Sequence, residues 1–457
     1  MISWEWGSGA VRQLAAAAVV LTWLLMCTAI WGVRWRARRA LEGRRRTPGT
    51  APAVLVAYAS QTGFGEQIAR QTAEALHTAG VPVRLSALSH VTADDLVATE
   101  RALFIASTCG EGDAPDNASL FVRRLMATAM PLPGLHYGVL ALGDRDYGQF
   151  CGFGRALDTW LSATGAVPMF ERIEVDNADE MALANWQHRL SHLAGTTDLP
   201  DWQAPAWETW RLVARRHLNE GSAGGPTYHL EVEPPPGKAV DWASGDLVQV
   251  RAPGDPKRPR EYSIASICSD GRVHLLVRQE RRADGSLGMA SGWLTHDAAL
   301  GDTIDLRLRP HPNFRLGDNA ARPLILIGNG TGMAGLRGHL RARAASGMGR
   351  CWLVFGERQA AFDAYYRDEI EAWLTNGVLA RADLVFSRDQ PQRLYVQDQL
   401  RQTSEALREW IQDGAAVYVC GSLQGMAAGV DAALTEVLGQ ATMDRLLEEG
   451  RYRRDVY

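Results

Sequence analysis

The chain has no C-x-x-C pair: its six cysteines, Cys27, Cys109, Cys151, Cys268, Cys351 and Cys420, are scattered over 457 residues. That spacing indicates neither a zinc site nor a disulfide framework, and a reducing compartment suits the bulk of the chain. An excess of one charge is also missing. Lys+Arg number 48 and Asp+Glu 52, a formal net charge of -4, which gives nucleic-acid binding no electrostatic support as the main activity. No internal repeat or low-complexity tract interrupts the sequence. What remains is length and glycine. A chain of 457 residues exceeds what one core covers, so two or three domains are expected. Its 45 glycines suit an α/β protein with several tight phosphate-binding turns.

Long apolar runs are rare, with one exception at the start. Leu14 to Val33 reads LAAAAVVLTWLLMCTAIWGV without a charge, and a helix of about 20 residues rises roughly 30 Å, enough to cross a hydrocarbon core. Basic residues follow on one side only, at Arg34, Arg36, Arg38, Arg39, Arg44, Arg45 and Arg46, against Arg12 before the run. A cleaved signal peptide carries its positive charge ahead of the apolar stretch, which disfavours that alternative. The sequence thus predicts a single-pass inner-membrane anchor over 14–33 and a basic linker over 34–52, with the later domains cytoplasmic. Trp31 and Trp35 fit interfacial positions.

Beyond TPGTAP (Thr47 to Pro52), apolar strand-like runs alternate with helical patterns: AVLVAYAS, EQIARQTAEALHTAG, ALFIAST, YGVLALGD and RALDTWLSATGA. This alternation predicts a doubly wound parallel sheet over 53–195, with ligands at the carboxyl ends of its strands. Tryptophan, proline and glycine gather over 196–226, read as a linker. From Thr227 the pattern becomes β (TYHLEVEP, GDLVQVRAP, REYSIASI, RVHLLVRQE, DTIDLRLRP), which predicts a small antiparallel barrel over 227–319. The α/β alternation returns over 320–457 and predicts a second nucleotide-binding sheet.

Three loops at strand ends carry the first constellation: SQTGFG from Ser60, STCGEGD from Ser107 and LGDRDYGQFCGFG from Leu142. Small hydroxylated residues and glycine let N–H groups converge on a phosphate at a helix N-terminus. In the barrel, REYS (Arg260 to Ser263) and GMASGWL (Gly288 to Leu294) offer a guanidinium and a helix start for a diphosphate. In the last domain, FSRDQPQRLYVQDQL from Phe386 sets two arginines among hydroxyl donors. That suits a phosphate, whereas a ribose hydroxyl calls for an acidic residue.

Taken together, these motifs resemble the diflavin reductase family, a flavodoxin domain joined to a ferredoxin–NADP reductase-type module. The resemblance implies three cofactors, FMN, FAD and NADPH. It implies that Ser60, Gln61, Thr62, Gly63 and Phe64 hold the FMN phosphate. Thr108, Gly110, Glu111 and Gly112 border one side of the isoalloxazine ring, and Gly143, Asp144, Tyr147, Phe150 and Cys151 the other, with Tyr147 stacked on it. Asp176 matches an acidic surface position, or is a solvated loop carboxylate. For FAD it implies Arg260 and the loop at Gly288, Ala290 and Ser291 at the diphosphate, Tyr262 packed on the ring, and Ser263 at N5. For NADPH it implies Thr331 under the dinucleotide, with Ser387, Arg388, Arg393, Tyr395 and Gln397 at the 2′-phosphate. Ser263, Cys420 and Asp455 surround the hydride path, and Tyr457 covers the FAD ring. Cys420 by itself reads as a core cysteine.

The chain departs from the family at Cys109, where an aromatic is common, at Gly335 in place of proline, and at Ser422 and Gly429 in place of aspartates. The helical connecting domain that interrupts the barrel in many members has no room before REYS, so docking between flavin domains must differ. The expected activity is electron transfer from NADPH through FAD and FMN to a one-electron acceptor, a haem protein or alternatively a ferric chelate. A non-catalytic flavin-binding membrane module is the rival from another class.

Replacing Arg388 and Arg393 together by Ala is expected to raise the apparent KM for NADPH far more than for NADH. Each lost charge-assisted bond costs about 1.5–3 kcal/mol. Steady-state kinetics with both cofactors check this, and a surviving NADPH preference would place the 2′-phosphate elsewhere.

Overall fold

Consecutive residues of each apolar strand point to opposite faces, and in the computed structural model that alternation builds two cores on each parallel sheet. The structure describes residues 53–195 and 206–456, apart from Ala239, Lys257 and Ala283. These lie in one compact unit, Ala53–Tyr457. In β1 (Val54–Ala59), Leu55, Ala57 and Ala59 enter one cluster with Phe104 and Phe121, while Val54 and Val56 enter another with Ile68 and Trp186.

The first sheet runs β2 (Val83–Ala87), β1, β3 (Arg101–Ser107), β4 (His136–Gly143), β5 (Val167–Pro168), all parallel, with β6 (Ile173–Asp176) also on β4. This is the 2-1-3-4-5 order of a flavodoxin-like sheet, whose switch point lies between β1 and β3. Helices α1 (Phe64–Thr78), α2 (Gly152–Ala163) and α3 (Glu180–Ala194) cover it. Trp186 of α3 is fully buried and donates its indole N–H to Thr72 of α1 at 3.0 Å.

An antiparallel sheet follows in the order β10 (Arg260–Ser263), β9 (Leu247–Arg251), β12 (Thr303–Arg309), β7 (Glu208–His217), β8 (Thr227–Glu233), β11 (Val273–Arg278). It curls until Ala265 N–H, just past β10, donates to His274 O in β11 at 2.8 Å. Strand β7 lies in the stretch the sequence reads as a linker. Its exposed face of arginines masks an alternation in which Trp210 and Leu212 point into the barrel core, so the barrel starts earlier than the pattern indicates.

The last sheet is parallel, in the order β15 (Leu379–Phe386), β14 (Cys351–Glu357), β13 (Leu324–Asn329), β16 (Ala416–Gly421), β17 (Tyr452–Val456). Its switch point falls between β13 and β16, at the start of helix α4 (Met333–Ala345). The membrane helix expected over Leu14–Val33 lies outside the described residues. Among the described residues no helix is long and apolar enough to cross a membrane.

Where the barrel meets the last sheet, His229, Glu231 and His274 bring three potential ligand atoms within 4.8 Å of one another. An arginine can only donate, so the contact from Arg337 Nη1 to His274 Nδ1 (3.2 Å) leaves the ring proton on Nε2, the atom facing Glu231. Arg272 also holds Glu231 at 2.9 Å. The tautomer and the two guanidiniums make this an ion-pair network hostile to a cation. Burial, then repulsion from His274 and Arg337, lowers the His229 imidazole to about 3. Burial, then Arg453, lowers His339 of α4 to about 3 as well.

Both histidines therefore stay neutral in the fold at pH values where the unfolded chain, with its histidines near 6.5, takes up protons. Stability is fully present above about pH 6.5 and falls as pH drops towards 3, by at most about 1.4 kcal/mol per pH unit for each group. Urea unfolding of the intact chain at a series of pH values should show this decline. His339→Gln should flatten it, and an unaltered pH slope would assign the decline to other groups.

Candidate functional site

The loops that leave the three sheets at their carboxyl ends meet around one line of contacts. After β1, Ser60 Oγ accepts the N–H groups of Gly63 (3.0 Å) and Gly65 (3.1 Å) and so shapes the loop. Gly63 has φ +87° and stands at the N-terminus of α1, which has no side-chain cap. Apart from the Gly65 N–H held by Ser60, the first turn, with Glu66 its only acidic residue, is a fit for a phosphate group. The Gln61 side chain turns away from that position. Its amide exchanges bonds with Asp116 (3.0 and 3.1 Å) and donates to Arg454 O at 2.8 Å, which leaves its backbone to serve a phosphate. The Phe64 ring lies beneath the Arg309 guanidinium, 5.0 Å from Cζ to the ring centre.

The two ring-bordering loops approach each other glycine on glycine: a Cβ on Gly152 would sit 2.8 Å from Gly112 Cα. Gly110 and Gly112 adopt φ +51° and +124°. Thr108 carries a buried hydroxyl with no partner among the described residues, a polar atom suited to a flavin edge. Glu111 accepts the Gly148 N–H (3.2 Å), and Asp144 the Asp146 N–H (2.9 Å). Tyr147 is 47% exposed, an aromatic face free to cover a ring. Its expected companions differ. Phe150 is covered by Arg145 at 4.5 Å, and Cys151 turns inward, Sγ–H to Ala141 O at 3.3 Å, behind Gly143. Asp176 holds Arg145 at the outer rim of the same loop.

The second flavin set lies on the barrel. Arg260 and Arg258 both pair with Asp146 of the ring-bordering loop, at 3.2 and 2.7 Å. Tyr262 packs on the barrel core. Gly288, Ala290 and Ser291 open a four-residue helix, Met289–Gly292, and Ser291 Oγ accepts Glu280 N–H (3.1 Å), which leaves its proton for a diphosphate.

Ser263, Cys420 and Asp455 come together from three strands. Ser263 Oγ donates to Asp455 Oδ2 at 2.7 Å, and Cys420 Sγ lies 3.7 Å from the same oxygen. Burial, then the Asp455 charge, pushes the Cys420 thiol well above its usual range, so it stays protonated and donates. Cys420 and Asp455 are register partners in β16 and β17. Gly332 touches Cys420 O so closely that a Cβ would sit 2.0 Å from it; Thr331 beside it is in the short turn Gly330–Gly332. Gly335 lies tight against Phe314 and Cys420 Sγ, so the loop without proline is closely packed.

At the far edge of this sheet Ser387 is buried, while Arg388 and Arg393 are exposed and form no ion pair with a described residue. Tyr395 is exposed next to them, and Gln397 fills the space a side chain at Gly429 would need. Ser422 N–H donates to Asn329 Oδ1 at 3.0 Å. Tyr457 lies outside the described residues.

Sequence reasoning missed the residues that join the sets. Arg454 forms a two-pronged ion pair with Asp116. His311, fully buried, donates Nε2–H to Gln61 O at 2.7 Å, and its Nδ1 lies 4.0 Å from Asp455 Oδ1. Asn313 donates to Ser60 O at 2.6 Å. The two flavin-domain loops are thus docked on the barrel and on β17.

Residues 56–186 match the Flavodoxin family, and residues 326–432 the Oxidoreductase NAD-binding domain family. The chain is 27% identical to the sulfite reductase (NADPH) flavoprotein alpha-component of Neisseria meningitidis serogroup C, with 90% of each chain covered. It is 29% identical to the component of the same name from Shewanella oneidensis (89% and 90% covered) and 28% identical to that of Aliivibrio fischeri (88% and 89%). The first alignment spans 551 positions, more than this chain's 457 residues, so that relative carries insertions absent here. These findings correct the single-pass inner-membrane localisation with cytoplasmic domains. The relatives matched over nine-tenths of the chain are sulfite reductase components, and no described helix can span a bilayer. An apolar run and a one-sided arginine cluster do not by themselves make a span.

Asp455→Asn is expected to slow reduction of bound FAD by NADPH by about a hundred-fold, the scale for losing one preorganised electrostatic partner. Cys420→Ala should cost less, since Ser263 still holds the carboxylate. Anaerobic stopped-flow absorbance measures both, and an unslowed Asp455→Asn enzyme with FAD retained would remove the carboxylate from the hydride site.

Proposed function

Because the chain belongs to the diflavin reductase family, an oxidoreductase with FMN, FAD and NADPH as cofactors, we propose that its electron acceptor is a haem protein taking one electron at a time. The observation that carries this reading is the Asp146 contact with Arg258 and Arg260. It brings the loop assigned to FMN beside the arginine assigned to the FAD diphosphate, which supports a shared interface for the two flavins.

When bound, FAD supplies hydride acceptance and FMN supplies one-electron release. The protein's own residues do the rest. Ser263 and Cys420 hold Asp455 where positive charge develops on the nicotinamide, a place where a fixed carboxylate is stabilising. Arg388 and Arg393 select the 2′-phosphate. Tyr147, half in water, shields one ring face. An acceptor reaches that face only when Asp146 leaves the barrel arginines, and exposed pairs of this kind are worth about 0–1 kcal/mol. The relatives' printed names, sulfite reductase alpha-components, fit a chain that delivers electrons to a separate catalytic partner.

NADPH-dependent reduction of cytochrome c by the chain loaded with both flavins tests the reading. Reduction that vanishes when FMN is withheld and returns when it is added is the expected result. Reduction of a ferric chelate but not of cytochrome c would favour the chelate, and no reduction of either with FAD reduced would refute one-electron delivery.

A further inference from the structure

Strand β12 ends at Arg309, whose side chain reaches out of the barrel towards the flavodoxin-like sheet. The residue is only 3% exposed. Its Nε has no hydrogen-bond partner, and no described residue forms an ion pair with it. Its guanidinium lies over the Phe64 ring. A ring face attracts a cation but accepts no set of hydrogen bonds, and a guanidinium taken from water needs an anion. Arg307, two residues back, adds to the positive field rather than relieving it: burial, then Arg309, lowers its own ionisation.

The missing anion has an address. Phe64 is the first residue of α1, whose N-cap Gly63 offers no side chain to the first turn. Gly63 lies so close to the segment after Arg309 that a Cβ would stand 3.0 Å from Pro310 O. His311 and Asn313 bind the carbonyls of Gln61 and Ser60, so these carbonyls face the barrel. Two independent features, a helix start and a buried unpaired guanidinium from another domain, converge on one loop.

We propose that Arg309 is a ligand of the FMN 5′-phosphate, supplied across the domain interface by the FAD barrel. The inference rests on the FMN assignment of the Ser60–Phe64 loop. It makes that phosphate site a two-domain site, in which FMN affinity and domain docking support each other by mass action. The same phosphate chemistry is present in the FAD diphosphate, and the ligand series below separates the two.

The test strips flavins from the full chain and from Arg309→Leu and Arg309→Lys, then titrates each with FMN, riboflavin and FAD by flavin fluorescence. Riboflavin shares the FMN ring and lacks the phosphate. Arg309→Leu should weaken FMN by about ten- to a hundred-fold, the scale for a charge-assisted bond. Riboflavin and FAD affinities should be unchanged, and Arg309→Lys should recover part of the FMN loss. Equal weakening of FMN and riboflavin would overturn the proposal and leave Arg309 as a packing partner of Phe64. Selective loss of FAD would overturn it in favour of the diphosphate. If Arg309→Leu does not fold, the FMN-to-riboflavin selectivity of Arg309→Lys against the wild type decides, since equal ratios sink the idea. Failure of the wild-type chain to take up FMN at all would refute the FMN assignment itself.

Discussion

Asp455 is a carboxylate with 4% of its surface exposed, and a buried charge persists only where donors replace its lost water. Its own strand supplies none of them. Ser263 arrives as a donor from the barrel and Cys420 from the neighbouring parallel strand, while His311, from the segment that follows β12, packs its Nδ1 4.0 Å from the carboxylate without bonding it. Satisfying this one group therefore fixes the barrel against the last sheet. In the proposed function the same residues line the hydride path, so that reading asks packing and chemistry to make the same demand. His311 extends the line further, because its other nitrogen holds the loop at Gln61.

Such convergence requires backbones to approach more closely than side chains allow. Gly332 against Cys420 O and Gly63 against Pro310 O are two of the points where the chain accepts glycine for that purpose. At Gly63 the φ of +87° adds a second reason, since the left-handed region is costly for residues with a Cβ. Substitution at either point would push apart elements whose registers are set by parallel sheets, and a close-packed interior transmits such a shift.

Much of this was legible in the sequence. The loops at the ends of β1, β3 and β4 announced themselves through local composition, and the parallel sheets through alternating strand and helix patterns. REYS, Cys420 and Asp455 were identified as a set by resemblance, and the structure brings them within bonding distance. Strand β7 was not legible, because Trp and Arg on its faces blurred the period of two. The docking contacts were not legible for a different reason. Gln61 meets His311 and Arg454 across separations of 250 and 393 residues, and Asp116 meets Arg454 across 338. No local pattern encodes such pairs. Arg309 reads in sequence as one more polar position on a strand, and only its burial without a partner gives it meaning. The apolar run over Leu14–Val33 shows the opposite failing, a strong local pattern whose functional reading the comparisons overturn.

With no connecting segment before REYS, docking between the flavin domains was expected to differ, and the docked arrangement is made of two unlike halves. Near the phosphate loop the contacts are sheltered: Asp116 and Arg454 expose 17% and 21% of their side chains, and Ser60 and Gln61 are held through backbone carbonyls. Around the ring-bordering loop they are open to water, with Asp146, Arg258 and Arg260 at 39%, 46% and 41%. Exposed pairs are screened within about 8 Å at physiological salt and hold weakly. Sheltered ones are strongly destabilising to break, because each partner is left as an uncompensated charge. The interface is therefore softest around the loop the proposed function assigns to the flavin ring and firmest around the loop it assigns to the phosphate. A short chain can meet both demands without an added scaffold, since the difference lies in solvent exposure of the ion pairs rather than in their number.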